Sequence, residues 1–89
     1  MTKHELRLYD RYFDAVVTGK KRFEIRKNDR DYKIGDVLIF IRCDDDGFDV
    51  VDPRGHPDIF VAAVSYILRH EDFPQGIMDG YVVLGIDKV

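Results

Sequence analysis

Eighty-nine residues are enough for one domain with one modest core, and the 45% hydrophobic content with mixed charges is that of a folded globule, not a disordered chain. No apolar run approaches the roughly 20 residues that span a bilayer, and residues 1–10 hold no apolar signal core, so a cytoplasmic location without a membrane partner is expected. The net charge of −3 argues against duplex DNA, whose binding needs many phosphate contacts.

In chain order, Glu5–Leu8 alternate polar and apolar residues, which predicts a short strand. Asp10 then offers a helix N-cap. Tyr9, Tyr12, Phe13, Val16 and Val17 recur at helical spacing and predict a helix over residues 11–18 with one apolar face. Gly19 is placed to stop it, because glycine tolerates the left-handed position after a helix. A strand over Arg22–Arg26 puts Phe23 and Ile25 on one face and Arg22, Glu24 and Arg26 on the other.

Asn28–Tyr32 and Ile34-Gly35-Asp36 read as turns leading into Val37–Cys43. That run is apolar on both faces apart from Arg42, as expected of a central strand. Asp44–Gly47 is a polar turn, Phe48–Val51 a short strand, and Pro53–Pro57 another turn. Ile59–Leu68 is a long strand rich in β-branched residues. Arg69–Asp79 is a loop and Tyr81–Ile86 the last strand. The expected fold is therefore α+β, mainly β: a small barrel over residues 1–89 with one early helix, its antiparallel-rich sheet curved or closed. Closing such a sheet removes its exposed edges.

Charge is unevenly spread. Between Lys20 and Lys33 seven basic residues meet three acids, a local +4 that leaves −7 for the rest of the chain. Such a layout focuses an anionic ligand on one region. Within it, Glu24 and Arg26 lie two apart on a strand, so they share a face about 7 Å apart. Lys21 follows the helix stop and is free to swing toward that face. An adjacent carboxylate holds a lysine protonated, whereas desolvation does the opposite. The balance separates an anion-binding lysine from a reactive one. By spacing alone, the same residues also make an ordinary salt-bridge ladder on a solvated strand face, worth at most about 1 kcal/mol per pair.

The segment Gly19-x-Lys21-x-x-Glu24-x-Arg26 resembles the G-x-K-x-x-E-x-R motif of ASCH domains, the activating-signal-cointegrator homology family within the PUA-like fold. His4-Glu5-Leu6 and the run Phe23–Arg30 are similar to a bacterial and phage branch of that group with no assigned function. The likeness extends over nearly the whole chain. It implies a PUA-like barrel with a cleft for RNA, a nucleotide or a modified nucleoside. Arg26 and Lys21 would contact phosphate or carbonyl oxygens, and Asn28 and Arg30 would form the rim. Glu24 would accept from a base edge or hold the lysine.

Some ASCH proteins of this size hydrolyse N4-acetylcytidine and some cleave RNA, which makes Lys21 and Glu24 candidate catalytic residues of an amidohydrolase or ribonuclease. In the acetylcytidine hydrolases a threonine stands where this chain has Glu24, and their late acid has no clear counterpart, since Glu71 and Asp72 fall in a loop. A third reading is a protein-interaction module whose acidic loop 44–52 meets a partner.

The remaining candidates are weaker. Asp44, Asp45, Asp46, Asp49 and Asp52 fail the calcium-loop spacing. His4, His56 and His70 lack metal-ligand spacing, so no metal and no cofactor are implied, although His4 opens a strand expected beside the motif and is a candidate ligand-binding residue. Cys43, the sole cysteine, lies in an apolar run and reads as a buried thiol. Tyr32 and Tyr81 flank loops and offer stacking surfaces for a base, whereas Tyr12 has the spacing of a core residue.

Overall fold

Residues 1–89 are described by a computed structural model. In chain order the elements are β1 (Lys3–Tyr9), α1 (Asp10–Val17), β2 (Phe23–Lys27), β3 (Val37–Cys43), β4 (Ile59–Arg69) and β5 (Tyr81–Lys88), with one 3-10 turn at His70–Asp72. The alternation in β1 turns His4, Leu6 and Leu8 inward. The eight-residue α1 is too short to be stable alone and depends on packing Phe13 and Val16 into the core. Its end follows expectation: Gly19 has φ +78°, and the Arg22 Nε donates to the exposed Gly19 carbonyl at 3.0 Å. Its start does not. Tyr9 occupies the cap position and Asp10 is the first helical residue, because the Asp10 carboxylate is drawn to Arg42 on β3 instead.

The five strands form one sheet in the order β1-β3-β4-β5-β2. β1 runs parallel to β3, and the other three pairings are antiparallel. A bulge between Val64 and Tyr66 in β4 helps bend the sheet. The result is a small α+β domain whose sheet curls into a half-barrel. Of the curved or closed sheet expected, the structure has the curved one, left open: β1 and β2 each pair on one side only. Arginine side chains cross the open seam instead. Arg26 Nη2 donates to the Arg7 carbonyl at 2.6 Å and Arg30 Nη1 to the Glu5 carbonyl at 3.0 Å. These edge carbonyls have no strand partner across the seam, and the charged donors take its place.

Leu38, Phe40, Ala62, Val64, Val82 and Leu84 fill the concave side, joined by Leu6 and Leu8 of β1 and by Phe13 and Val16 of α1. The short strand expected at Phe48–Val51 is absent; that arm has only two isolated bridges, Cys43 to Asp49 and Val51 to Pro57. Its turns are tied by aspartates, which compete with ladder formation by bonding to nearby backbone N–H groups. No helix is long and apolar enough to cross a membrane.

Candidate functional site

β2 keeps the expected parity but presents the opposite face. Phe23 and Ile25 are 46% and 57% exposed, while Glu24 is 5% exposed. The strand closes one lip of the seam, so its polar side faces inward across the gap, while Phe23 and Ile25 stay half-exposed along the lip.

Glu24 is held between two cations. Lys21 Nζ donates to Glu24 Oε1, and Arg26 Nε donates to Glu24 Oε2 at 2.7 Å. Lys21 is brought there by the helix end, where its backbone N–H donates to the Ala15 carbonyl at 2.9 Å. Its ammonium also donates to the Phe23 carbonyl at 2.9 Å. It lies 4.9 Å from the Phe23 ring centre and 5.4 Å from that of Tyr12, within cation–π range of both. Lys21, Glu24 and Arg26 thus converge. Both carboxylate oxygens of Glu24 are engaged, so it organises the two cations. The Arg26 guanidinium keeps Nη1 uncommitted, and a protonated Lys21 keeps one further N–H.

These groups open into a cleft of about 820 Å³ between β1, the start of α1 and β2. Arg30 and Tyr81 line it with the three motif residues. Asn28 does not; its backbone N–H donates to the Gly80 carbonyl at 2.8 Å and its side chain is on the outside. His4 is also outside the lining. It is buried, with Nε2 donating to Asp36 Oδ2 at 2.9 Å and its ring tilted against Tyr32 at 4.8 Å. Asp36 also accepts from the backbone N–H groups of Thr2 and Lys33. Burial opposes its ionisation, but the bonds from His4, Thr2 and Lys33 prevail and hold its pKa below the ordinary 3.8. This knot braces the floor of the cleft from behind.

The aromatic expectations exchange places. Tyr12 is an exposed rim residue, stacked by the Arg11 guanidinium at 5.1 Å, whereas Tyr32 is fully buried in the floor. Burial raises the Tyr32 pKa, with Arg30 and Arg26 pulling the other way. Cys43 lies in the floor with its thiol pKa also raised by burial. Sequence reasoning passed over Phe23, Tyr9 and Arg7 as cleft residues. The signal for Phe23 was its place between Lys21 and Glu24; for Arg7 it was the outward parity of β1. No cluster of three metal-ligating side chains is present.

A curled five-stranded α+β half-barrel, with a cationic and aromatic cleft at its seam, is the class that fold and site define. Residues 3–86 match the family model described as Domain of unknown function (DUF3850), and the chain belongs to that family. Over 36 residues it is 58% identical to the "Uncharacterized 12.9 kDa protein in GpA 3'region" of Escherichia phage P2. That match covers 40% of this chain and about a third (33%) of the length of that relative.

Proposed function

We propose that the domain binds RNA, a nucleotide or a modified nucleoside in the seam cleft, in the manner of the ASCH domains of the PUA-like fold that its motif resembles. The observation that carries this reading is the convergence of Lys21, Glu24 and Arg26 in a cleft that also offers the rings of Tyr9, Tyr12 and Phe23. Arg26 and Lys21 supply donors for phosphate or carbonyl oxygens, and an aromatic face supplies sequence-tolerant stacking worth about 1–3 kcal/mol per base. Glu24 is the group that fixes both cations before a ligand arrives. Such preorganisation lowers the cost of ordering side chains on binding.

A hydrolase using the same cleft finds less support. Each Glu24 oxygen is already bonded to a cation and the carboxylate is buried, and Lys21 acts as a donor on two sides, so neither is held as an uncommitted base for a water. Binding is therefore the reading preferred over acyl-cytidine hydrolysis or RNA cleavage.

The test is calorimetric titration with ribonucleotides and short RNAs over a range of salt. With Lys21 and Arg26 each neutralising one phosphate of a single strand, log affinity falls against log salt with a slope near −1.4, at roughly −0.7 per contact. Arg26→Ala weakens binding and removes about 0.7 of that slope. Arg54→Ala, on the exposed Pro53–Pro57 turn, changes neither. Equal losses from the two variants, or a slope steeper than about −4, mean a diffuse field and no cleft site.

A further inference from the structure

The cleft is uneven along its length. β1 and β2 run antiparallel across it, with Arg26 opposite Arg7 and Arg30 opposite Glu5. Beyond Arg7 stand the rings of Tyr9, Tyr12 and Phe23. The arginines at that end are already matched by acids of the turn after β3. Arg7 holds both oxygens of Asp49, at 2.8 and 3.4 Å, and Arg11 holds Asp45 at 2.8 Å. Gly47 of that turn forms part of the cleft wall, and Asp44 and Asp46 flank it. The wall is braced, since Asp44 Oδ1 accepts from the backbone N–H groups of Asp46 at 3.0 Å and Phe48 at 2.9 Å. The opposite end differs. Lys27 and Arg30 line it with no carboxylate partner; Asp29 in its lining and Glu5 beside it pair with neither, and Asp31 is taken by Lys33.

We infer that the ligand of this cleft is a single nucleotide or the terminus of an RNA strand, and not a strand that runs through. This rests on the nucleotide reading above. The base stacks at the ring end and the phosphate meets Arg26, Arg30 and Lys27. A strand continuing past the rings brings its next phosphate toward the turn that holds Asp44, Asp45, Asp46 and Asp49, four acids against the two arginines that pair with them, a local charge of −2. Like charges juxtaposed at a contact select against that path. At the Arg30 end a strand leaves freely, so the cleft accepts an end and rejects a middle.

The experiment titrates the intact chain, by its tyrosine fluorescence, with uridine monophosphate and with linear and circular oligouridine. Each RNA is on the order of 30 nucleotides, slack beside the roughly 16 of the largest single-domain footprints. Linear RNA binds, and the circle, having no terminus, binds at least about tenfold more weakly. The double variant Asp45→Asn/Asp46→Asn, which removes two charges of the wall and keeps the Asp44 bonds, narrows that gap. Equal affinity for circle and line overturns the inference, as does a gap unmoved by the double variant. Failure of every RNA and of the mononucleotide to bind instead removes the nucleotide reading itself, and this inference with it.

Discussion

Replacing Glu24 by glutamine probes the fold and the site together. The amide keeps the shape and one acceptor oxygen, loses the charge, and turns an NH2 group toward one of two cations. Glu24 is buried, and its partners are not far from it: the Lys21 and Arg26 side chains are 18% and 23% exposed. A fully exposed pair is worth at most about 1 kcal/mol, whereas truncating one partner of a buried pair costs about 3–5 kcal/mol. Because both cations keep some water, the expected loss lies at or below the lower bound of that range, about 2–3 kcal/mol. For a chain this small, with a urea slope near 1 kcal/mol per molar, the unfolding midpoint falls by about 2 M or more. The assay is urea denaturation followed by circular dichroism. Asp31→Asn, which breaks the exposed pair between Asp31 and Lys33, is the control and leaves the midpoint in place. If Glu24→Gln moves the midpoint by less than about 0.5 M, a shift of the size an exposed pair gives, the three residues are a surface ladder and the reasoning fails.

Other outcomes are expected from the same structure. Asp36 binds its proton less readily folded than unfolded, so its contribution to stability is complete above the ordinary value of 3.8 and is lost as pH falls through the lower folded value. Asp36→Asn therefore flattens the acid limb of a stability-against-pH curve and lowers stability at neutral pH. Gly19→Ala forces a side chain into φ +78°, which costs about 1–2 kcal/mol in thermal or urea unfolding, and it weakens ligand binding by shifting Lys21. Cys43, buried and with its thiol pKa raised, reacts with iodoacetamide at pH 7 only as fast as the chain opens, which mass spectrometry of native and urea-treated protein resolves.

Much of the fold is legible in local pattern, because strands with period two and a helix with one apolar stripe need only their own residues to declare themselves. The parity of Glu24 and Arg26 is legible for that reason. Which side of β2 faces inward is not, since alternation marks two faces without saying which one meets the interior. Here the tertiary seam decides, and it buries the carboxylate while leaving Phe23 and Ile25 outside. Tyr12 and Tyr32 exchange roles on the same ground: the helix turns Tyr12 to the lip, and the turn before Asp36 folds Tyr32 beneath the cleft. His4 shares the parity of Leu6 and Leu8, which already points it inward. Its partner Asp36 lies too far along the chain for any local pattern to join them. The parallel pairing of β1 with β3 has no signature in either strand, because it depends on α1 and β2 being passed over.

The strand order also sets when the cleft exists. β3, β4 and β5 are neighbours in both sequence and space, so they can assemble through comparatively short loop closures. β2 belongs to the first third of the chain yet pairs only with β5 in the last, a slow contact to make. It is also a five-residue edge strand whose Phe23 and Ile25 are about half exposed, features of the low-stability end of a fold. The seam cleft between β2 and β1 therefore closes late during folding and opens early during native fluctuation, although Lys21, Glu24 and Arg26 pair locally along one segment. Amide exchange in β2 should outpace that in β4, and a bound ligand should slow it selectively. The domain can thus open its binding lip while the three-strand meander behind it stays intact.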